Sequence, residues 1–482
     1  MTSRAVAGTV ALGAALALAP LPLIHTTARA QAPAPPAGPK AAALARLAGD
    51  AALRATLAEQ RLARTPDTRG AMVPGLVVVK FRDPGDAAAV AALAAGHRAR
   101  DVSQPAFTDV HVFRLDPDAD VAAAARHMAA EPGVAYAEPV GRAEMHYRPN
   151  DPLFRYQWSL EQLDLERTWD INRGGRGEVV VAIVDSGVAY TALGADYLQA
   201  PDLAGTTFLP GYDFVWDDDV PVDFNGHGTH VTGTVAQSTD NNLGTAGIAF
   251  NASIIPIKAV GDDIDELLGA PNVGTAVTVA QAIRFAAEHG AKVINLSLGV
   301  RLQSTTLREA VEFAVEQGAF VVASAGNSAE DGNPVFYPAA YAPEIDGVVA
   351  VAATDYVQAR SPYSNTNDYV ELAAPGGNTD EDLNGDGFLD GIVQQTVNLD
   401  AFFDTGRFDQ FSYLFFQGTS MAAPHVTGLA ALLIDQGITE PAVIEAALKH
   451  FATDLGPAGR DNEFGYGIIN PRATLRGLGL AR

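Results

Sequence analysis

The sequence predicts an α/β protein: a mainly parallel sheet wrapped by helices on both faces, preceded by a small α+β domain. Two observations carry this. From about Asp151 onward, unbroken apolar runs recur: EVVVAIVD (Glu178–Asp185), ASIIPIKAV (Ala252–Val260), KVINLSLG (Lys292–Gly299), AFVVASAGN (Ala319–Asn327) and DGVVAVAATD (Asp346–Asp355). Strands buried on both faces read this way, and helical stretches such as Thr275–His289 and Thr306–Gln317 lie between several of them. Ahead of them, a shorter stretch alternates strand, helix, strand, helix, strand.

The elements follow in order. MTSR, an apolar run from Ala5 to Ile24 and Ala28-Arg29-Ala30 make a secretory signal over residues 1–30. An uncleaved membrane anchor is the competing reading, because the run is long enough to span; the small-residue site after it favours cleavage. Residues 31–74 are a Pro/Ala linker (QAPAPPAGPK) followed by an Ala/Leu/Arg-rich helical segment, Ala41–Ala63. Residues 75–148 hold strands Leu76–Phe81, Val110–Leu115 and Val134–Val140 and helices Ala87–Ala95 and Ala119–Ala130, the pattern of a ferredoxin-like α+β sandwich. Residues 149–482 form the sheet domain, with no room expected for a further domain after it.

Composition narrows the function. Apolar residues make up 48% and charged residues 18% of the 482, as in globular chains. The absence of cysteine excludes disulfides, thiolate metal sites and a cysteine nucleophile. The net charge is −25, yet residues 1–150 carry 16 basic against 13 acidic side chains, so the acidic excess lies beyond them. That disfavours nucleic acid as a partner and suits either a solvated acidic surface or cation binding.

In open parallel sheets, functional groups gather at the carboxyl ends of strands. Asp185 and Asn327 lie there. FNGHGTHVTG (Phe224–Gly233) holds His227 and His230, a spacing open to a metal pair or to one working histidine with a structural neighbour. In GTSMAAPHVTG (Gly418–Gly428), Ser420 opens an apolar helix whose free N–H groups suit a developing oxyanion. Together these are a nucleophile (Ser420), a base (His227), an acid to orient it (Asp185) and a side-chain oxyanion donor (Asn327). The order Asp…His…Ser is one of those known for such triads.

VVVAIVDSGV, NGHGTHVTGTVA, INLSLG, ASAGN and GTSMAAPHVTGLAALL resemble the signature blocks of the subtilisin-like serine proteases, from about Asp151 to the C-terminus. The resemblance implies a three-layer subtilisin-like fold and endopeptidase activity on protein or peptide substrates. It implies a catalytic triad of Asp185, His227 and Ser420, with Asn327 and the Ser420 amide in the oxyanion hole. It makes His230 and His425 structural; the Glu of a zinc H-E-x-x-H is also missing. The region Gln31–Arg148 is similar to an inhibitory, chaperone-like propeptide, cut by the enzyme itself between Gly141 and Asn150. Ser297, Leu298 and Gly299 would line the substrate cleft, with Ala325 and Gly326 as the facing wall of the specificity pocket. Phe336 falls where the family often has glycine, so it either shortens the pocket or turns into the core. The implied protein is secreted, monomeric and not stably membrane-bound. A non-catalytic binding protein and an α/β-hydrolase esterase are the alternatives. The intact constellation disfavours the first, and the lack of G-x-S-x-G and of the order Ser…Asp…His disfavours the second.

DLNGDGFLDG (Asp382–Gly391) matches a calcium loop through its ninth position. Asp382, Asn384, Asp386 and Asp390 offer oxygen side chains and Phe388 a carbonyl, but Val393 replaces the last bidentate Glu. Asp202, by resemblance, marks a second calcium site completed by DNNLGT (Asp240–Thr245). The expected cofactor is structural Ca2+.

Overall fold

The structure, a computed structural model, describes residues 72–477 apart from 84, 104–108, 117–118 and 142–146. The expected signal peptide, the linker with its helical segment up to residue 71, and half of the expected processing stretch lie outside the described residues. The chain divides into two compact units at 146/147.

The first unit runs β1 (Met72–Phe81), α1 (Ala87–Gly96), β2 (Arg100–Asp101), β3 (Val110–Arg114), α2 (Val121–Ala129) and β4 (Val134–Gly141). Its strands form one antiparallel sheet in the order β2-β3-β1-β4, two interleaved halves in the ferredoxin-like arrangement. Period-two alternation explains β1: Val77, Val79 and Phe81 are buried and the residues between them are not. They pack with Phe113, Met128 and Leu93. Both helices start at an aspartate whose carboxylate accepts a first-turn amide, Asp86 from Ala89 and Asp120 from Ala123. β2 is the strand that sequence periodicity misses, since two residues carry no period.

The second unit is built on an eight-stranded sheet. Its strands are β5 (Val180–Asp185), β6 (Thr207–Phe208), β7 (Tyr212–Asp213), β8 (Ser253–Lys258), β9 (Val293–Leu296), β10 (Phe320–Ser324), β11 (Val348–Thr354) and β12 (Leu372–Pro375). The order is β12-β11-β10-β9-β5-β8-β6, with β7 also on β8, and every pairing is parallel. The chain leaves β5 toward β8 and later returns to β9 on its other side. The strand order therefore reverses beside β5, where such sheets open a crevice at their carboxyl ends.

Helices α3 (His227–Ala236) and α6 (Thr419–Asp435) pack on each other, with α6 crossing β9 to β12. Helices α4 (Ala276–Glu288) and α5 (Thr305–Glu316) pair along β5, β8, β9 and β10. Met421 to Ile434 of α6 are all buried, which its apolar sequence requires. An antiparallel hairpin, β13 (Ile392–Val397) and β14 (Phe411–Phe416), stands apart from the main sheet. Among the described residues no helix is long and apolar enough to cross a membrane.

Candidate active site

Asp185 is the last residue of β5 and His227 the first of α3. They meet because Gly228 lets the helix approach the strand: a Cβ there would lie 2.2 Å from the Gly187 carbonyl oxygen and 3.1 Å from Asp185 Cβ. His227 Nδ1 is 2.7 Å from Asp185 Oδ1, and the carboxylate is 1% exposed. A carboxylate acceptor fixes the proton on Nδ1 and leaves Nε2 free to accept another. Burial alone would lower the His227 pKa, but the charge and hydrogen bond of Asp185, with the charge of Asp223, outweigh it and hold it above the ordinary value.

Asp223 is a buried carboxylate beside His227 that the sequence reading did not name. It is fully buried, and its Oδ1 accepts from Ser186 Oγ and the amides of Asn225 and Gly226. Its Oδ2 accepts from the amide and hydroxyl of Thr229. The N-cap of α3 is Gly226, which has no side chain to offer, so Asp223 does the capping from three residues upstream. The acid-rich turn before an HGT helix start was the available signal.

Ser420 lies in the first turn of α6, where amides have no intrahelical partner. Its hydroxyl donates to the Ser297 carbonyl at 3.0 Å rather than to His227. Ser297 also holds the backbone there. Pro424 has no N–H for the Ser420 carbonyl four residues back, and Ser297 Oγ donates to that carbonyl at 2.8 Å. Asn295 Nδ2 donates to Ser297 Oγ, and Thr427 Oγ1 donates to Asn295 Oδ1, closing a buried polar chain behind the serine.

Asn327 follows β10. Its Oδ1 accepts from the Thr419 amide at 2.8 Å and the Thr419 hydroxyl at 2.7 Å, which fixes the amide and turns Nδ2 outward. A Cβ built on Gly418 would sit 3.1 Å from Asn327 Nδ2 and 3.5 Å from the Ser420 amide nitrogen. The two donors thus border one small space beside Ser420, as an oxyanion site needs.

The other sequence-named residues lie just past the ends of β9 and β10 and on the loop after them. Ser297 is buried, Leu298 half-buried and Gly299 exposed, just past β9. Ala325 and Gly326 are buried just past β10, the neighbouring strand. Phe336 is half-buried and lies against both Gly299 and Gly326.

His230 and His425 are brought to no site. His230 Nε2 donates to the carbonyls of Ile392 and Leu414, its ring stacks on Phe416, and burial pushes its pKa down to about 3. His425 Nδ1 donates to the Met421 carbonyl, and burial pushes its pKa down to about 4.

In the acidic loop, Asp382 accepts the amides of Gly385 and Gly387, Asn384 that of Asp386, and Asp386 that of Phe388. Asp390 Oδ2 accepts the Leu383 amide, while its Oδ1 is buried without a hydrogen-bond partner. Burial and the nearby Asp382 and Asp386 charges raise the Asp390 pKa. Val393 belongs to β13 and points its side chain into the protein. The ring of Phe388 lies against Tyr156 and Phe415, leaving only its carbonyl for the loop.

Asp202 is fully buried against the loop it was paired with. It accepts from Asn241 Nδ2, the Thr245 amide and Tyr413 OH, and burial raises its pKa to about 6. The same loop receives Asp151, buried and accepting the amides of Asp240 and Asn241, a contributor the sequence reading did not name. Among the described residues, no three His, Cys, Asp or Glu side chains converge as ligands.

Comparison with known proteins places these features in context. A model described as the subtilase family matches residues 176–467, and one described as the fervidolysin N-terminal prodomain matches residues 58–139. A thermophilic serine proteinase of Bacillus sp. (strain AK1) is 34% identical over 405 residues, 83% of this chain and 87% of the relative. A halolysin-like extracellular serine protease of Natrialba magadii is 35% identical over 356 residues, 73% of this chain and 57% of the relative. Fervidolysin from Fervidobacterium pennivorans, described as a keratinolytic enzyme related to subtilisin, superposes with a TM-score of 0.53. It is 27% identical, covering 86% of this chain and 64% of that one.

Proposed function

From the premise that the chain belongs to the subtilase family, and is a serine endopeptidase with a fervidolysin-like N-terminal prodomain, we propose that Asp185, His227 and Ser420 are its catalytic triad. The observation that carries this is the 2.7 Å contact of His227 Nδ1 with the buried Asp185 carboxylate, at the switch point of the sheet. The Ser420 hydroxyl turns from the Ser297 carbonyl toward the imidazole and gives its proton to His227 Nε2 as Oγ attacks the scissile carbonyl. The resulting oxyanion takes hydrogen bonds from Asn327 Nδ2 and the Ser420 amide. His227, charged and steadied by Asp185, then protonates the leaving amine. Water repeats the sequence on the acyl-enzyme, returning the proton to Ser420. A fluorophosphonate tests the assignment. It should label Ser420 alone, located by peptide mass, and labelling should collapse in His227→Ala. Equal labelling of that variant would contradict it.

The protein is read as a secreted zymogen. Residues 1–30 direct export, the domain of residues 75–148 inhibits and assists folding, and the enzyme cuts itself between Gly141 and Asn150. The extracellular character of a named relative supports export. The mature enzyme is read as a monomer acting on protein or peptide substrates.

Calcium is the proposed structural ion. The oxygen-only donor set of Asp382, Asn384, Asp386, Asp390 and the Phe388 carbonyl fits a hard cation, and the unpartnered Asp390 Oδ1 marks where charge is uncompensated. Asp202 would hold a second ion together with the Asp240–Thr245 loop, which it already meets at Asn241 and Thr245. Bound there, the ion neutralises buried carboxylates and ties the loops to the sheet.

A further inference from the structure

We propose that the acyl-side pocket of this enzyme is shallow and positively rimmed, its base closed by Phe336 and its mouth flanked by Arg301, so that it cleaves after small and short acidic residues. The proposal rests on the assignment of Ser420 as nucleophile.

The pocket follows from the geometry of the centre. The scissile carbonyl must lie at Ser420 Oγ with its oxygen toward Asn327 Nδ2 and the Ser420 amide. Two backbone strips flank that point, each tied to the start of α6. Ser297 accepts the Ser420 hydroxyl at 3.0 Å, and the Gly326 amide donates to Thr419 Oγ1 at 3.1 Å. The strips continue adjacent parallel strands, so beyond the last pairing a crevice opens between them. The side chain preceding the scissile bond enters there.

Phe336 spans that crevice. A Cβ built on Gly299 would lie 3.2 Å from Phe336 Cδ1, and one built on Gly326 would lie 2.6 Å from Cδ2. Opposite edges of one ring therefore meet opposite walls. The ring is held from both chain directions. Val300 and Tyr337 exchange two backbone hydrogen bonds of 2.8 Å, and Asn365 Nδ2 donates to the Pro334 carbonyl at 2.7 Å. Asn365 is itself fixed by the Ser328 amide. Moving the segment that carries the ring would break this frame, and the ring itself is wedged between Gly299 and Gly326.

Arg301 supplies the charge. Its guanidinium lies 5.5 Å from the Phe336 ring centroid, and Nη2 donates to Ser328 Oγ at 3.3 Å. It makes no ion pair among the described residues, so its charge is open to a substrate carboxylate. Nothing in the family resemblance required a cation at this rim.

The test uses mature enzyme and the peptide anilides succinyl-Ala-Ala-Pro-X-p-nitroanilide with X as Ala, Phe, Asp or Lys. Active sites are first counted by fluorophosphonate labelling. In the wild type, kcat/KM should favour Ala over Phe, and Asp over Lys, each by about tenfold or more. Phe336→Gly should reverse the Ala/Phe preference, with Phe336→Ala moving the same way if the glycine variant folds poorly. Arg301→Gln should abolish the Asp/Lys preference and leave Ala/Phe unchanged. Phe turned over as well as Ala by wild-type enzyme whose active sites have been counted, or Phe336 variants that keep the wild-type ratio, would overturn the closed floor. Equal Asp and Lys rates in the wild type would overturn the charged rim. Failure to label at all would instead overturn the Ser420 assignment.

Discussion

Replacing Asn327 separates transition-state stabilisation from the rest of the site. The side chain does two things. Its Oδ1 accepts from the amide and hydroxyl of buried Thr419, and its Nδ2 borders the space beside Ser420. Asn327→Ala removes both. Losing the donor should lower kcat about 10²–10³-fold, equivalent to ~2.7–4 kcal/mol, with KM little changed, because the oxyanion exists only after attack. Losing the acceptor strands two Thr419 donors, at a cost of about 1–3 kcal/mol in stability. Asn327→Asp distinguishes the two effects. It keeps the acceptor for Thr419 but replaces the outward donor with negative charge, so kcat should fall at least as far while denaturant stability is preserved. The assay is steady-state hydrolysis of a peptide anilide beside urea melts of all three proteins. A folded Asn327→Ala enzyme with wild-type kcat would refute the reasoning, as would activity in Asn327→Asp.

Other outcomes follow from the same contacts. Because Asp185 and Asp223 hold the His227 pKa above 6.5 and the base must be neutral, kcat/KM should fall as pH drops through a midpoint above 6.5. Asp223→Asn should move that midpoint down and slow the enzyme, while an unmoved midpoint would refute the role given to Asp223. Ser297→Ala leaves the Ser420 carbonyl beside Pro424 without a donor, so kcat should drop and stability should fall by about 1–3 kcal/mol in denaturant melts. Excess EDTA should lower the melting temperature and added Ca2+ restore it, since an ion that binds only the folded state stabilises it. A melting temperature indifferent to both would count against either calcium site.

What the sequence disclosed was mostly local. Asp185 ends an apolar strand, Asn327 follows the end of another by three residues, and Ser420 opens a small-residue helix, so strand and helix periodicity was enough to put each near an element end. The Asp382–Asp390 loop was legible for the same reason, its oxygen residues following one another at short spacing. Partners far along the chain were not. His230 is explained by carbonyls 162 and 184 residues away, which no local pattern announces. The hold of Ser297 on Ser420 crosses 123 residues, and Asp151 reaches a loop 89 residues on. The β13–β14 pair also escaped notice, because a helix, Leu399–Thr405, rather than a tight turn joins its strands, and because β13, buried along its length against α3, carries polar Gln394, Gln395 and Thr396. Phe336 illustrates the limit well. Sequence left it between pocket and core, and the proposal that it closes the pocket rests on contacts with Gly299 and Gly326 that no local pattern announces.

The most direct test of the account compares the wild-type precursor with Ser420→Ala, expressed side by side, by intact mass and casein digestion. The account predicts that only the wild type shortens to a bond between Gly141 and Asn150 and digests casein, while the variant keeps its prodomain and is inert. Equal processing and equal digestion by the two proteins would contradict it.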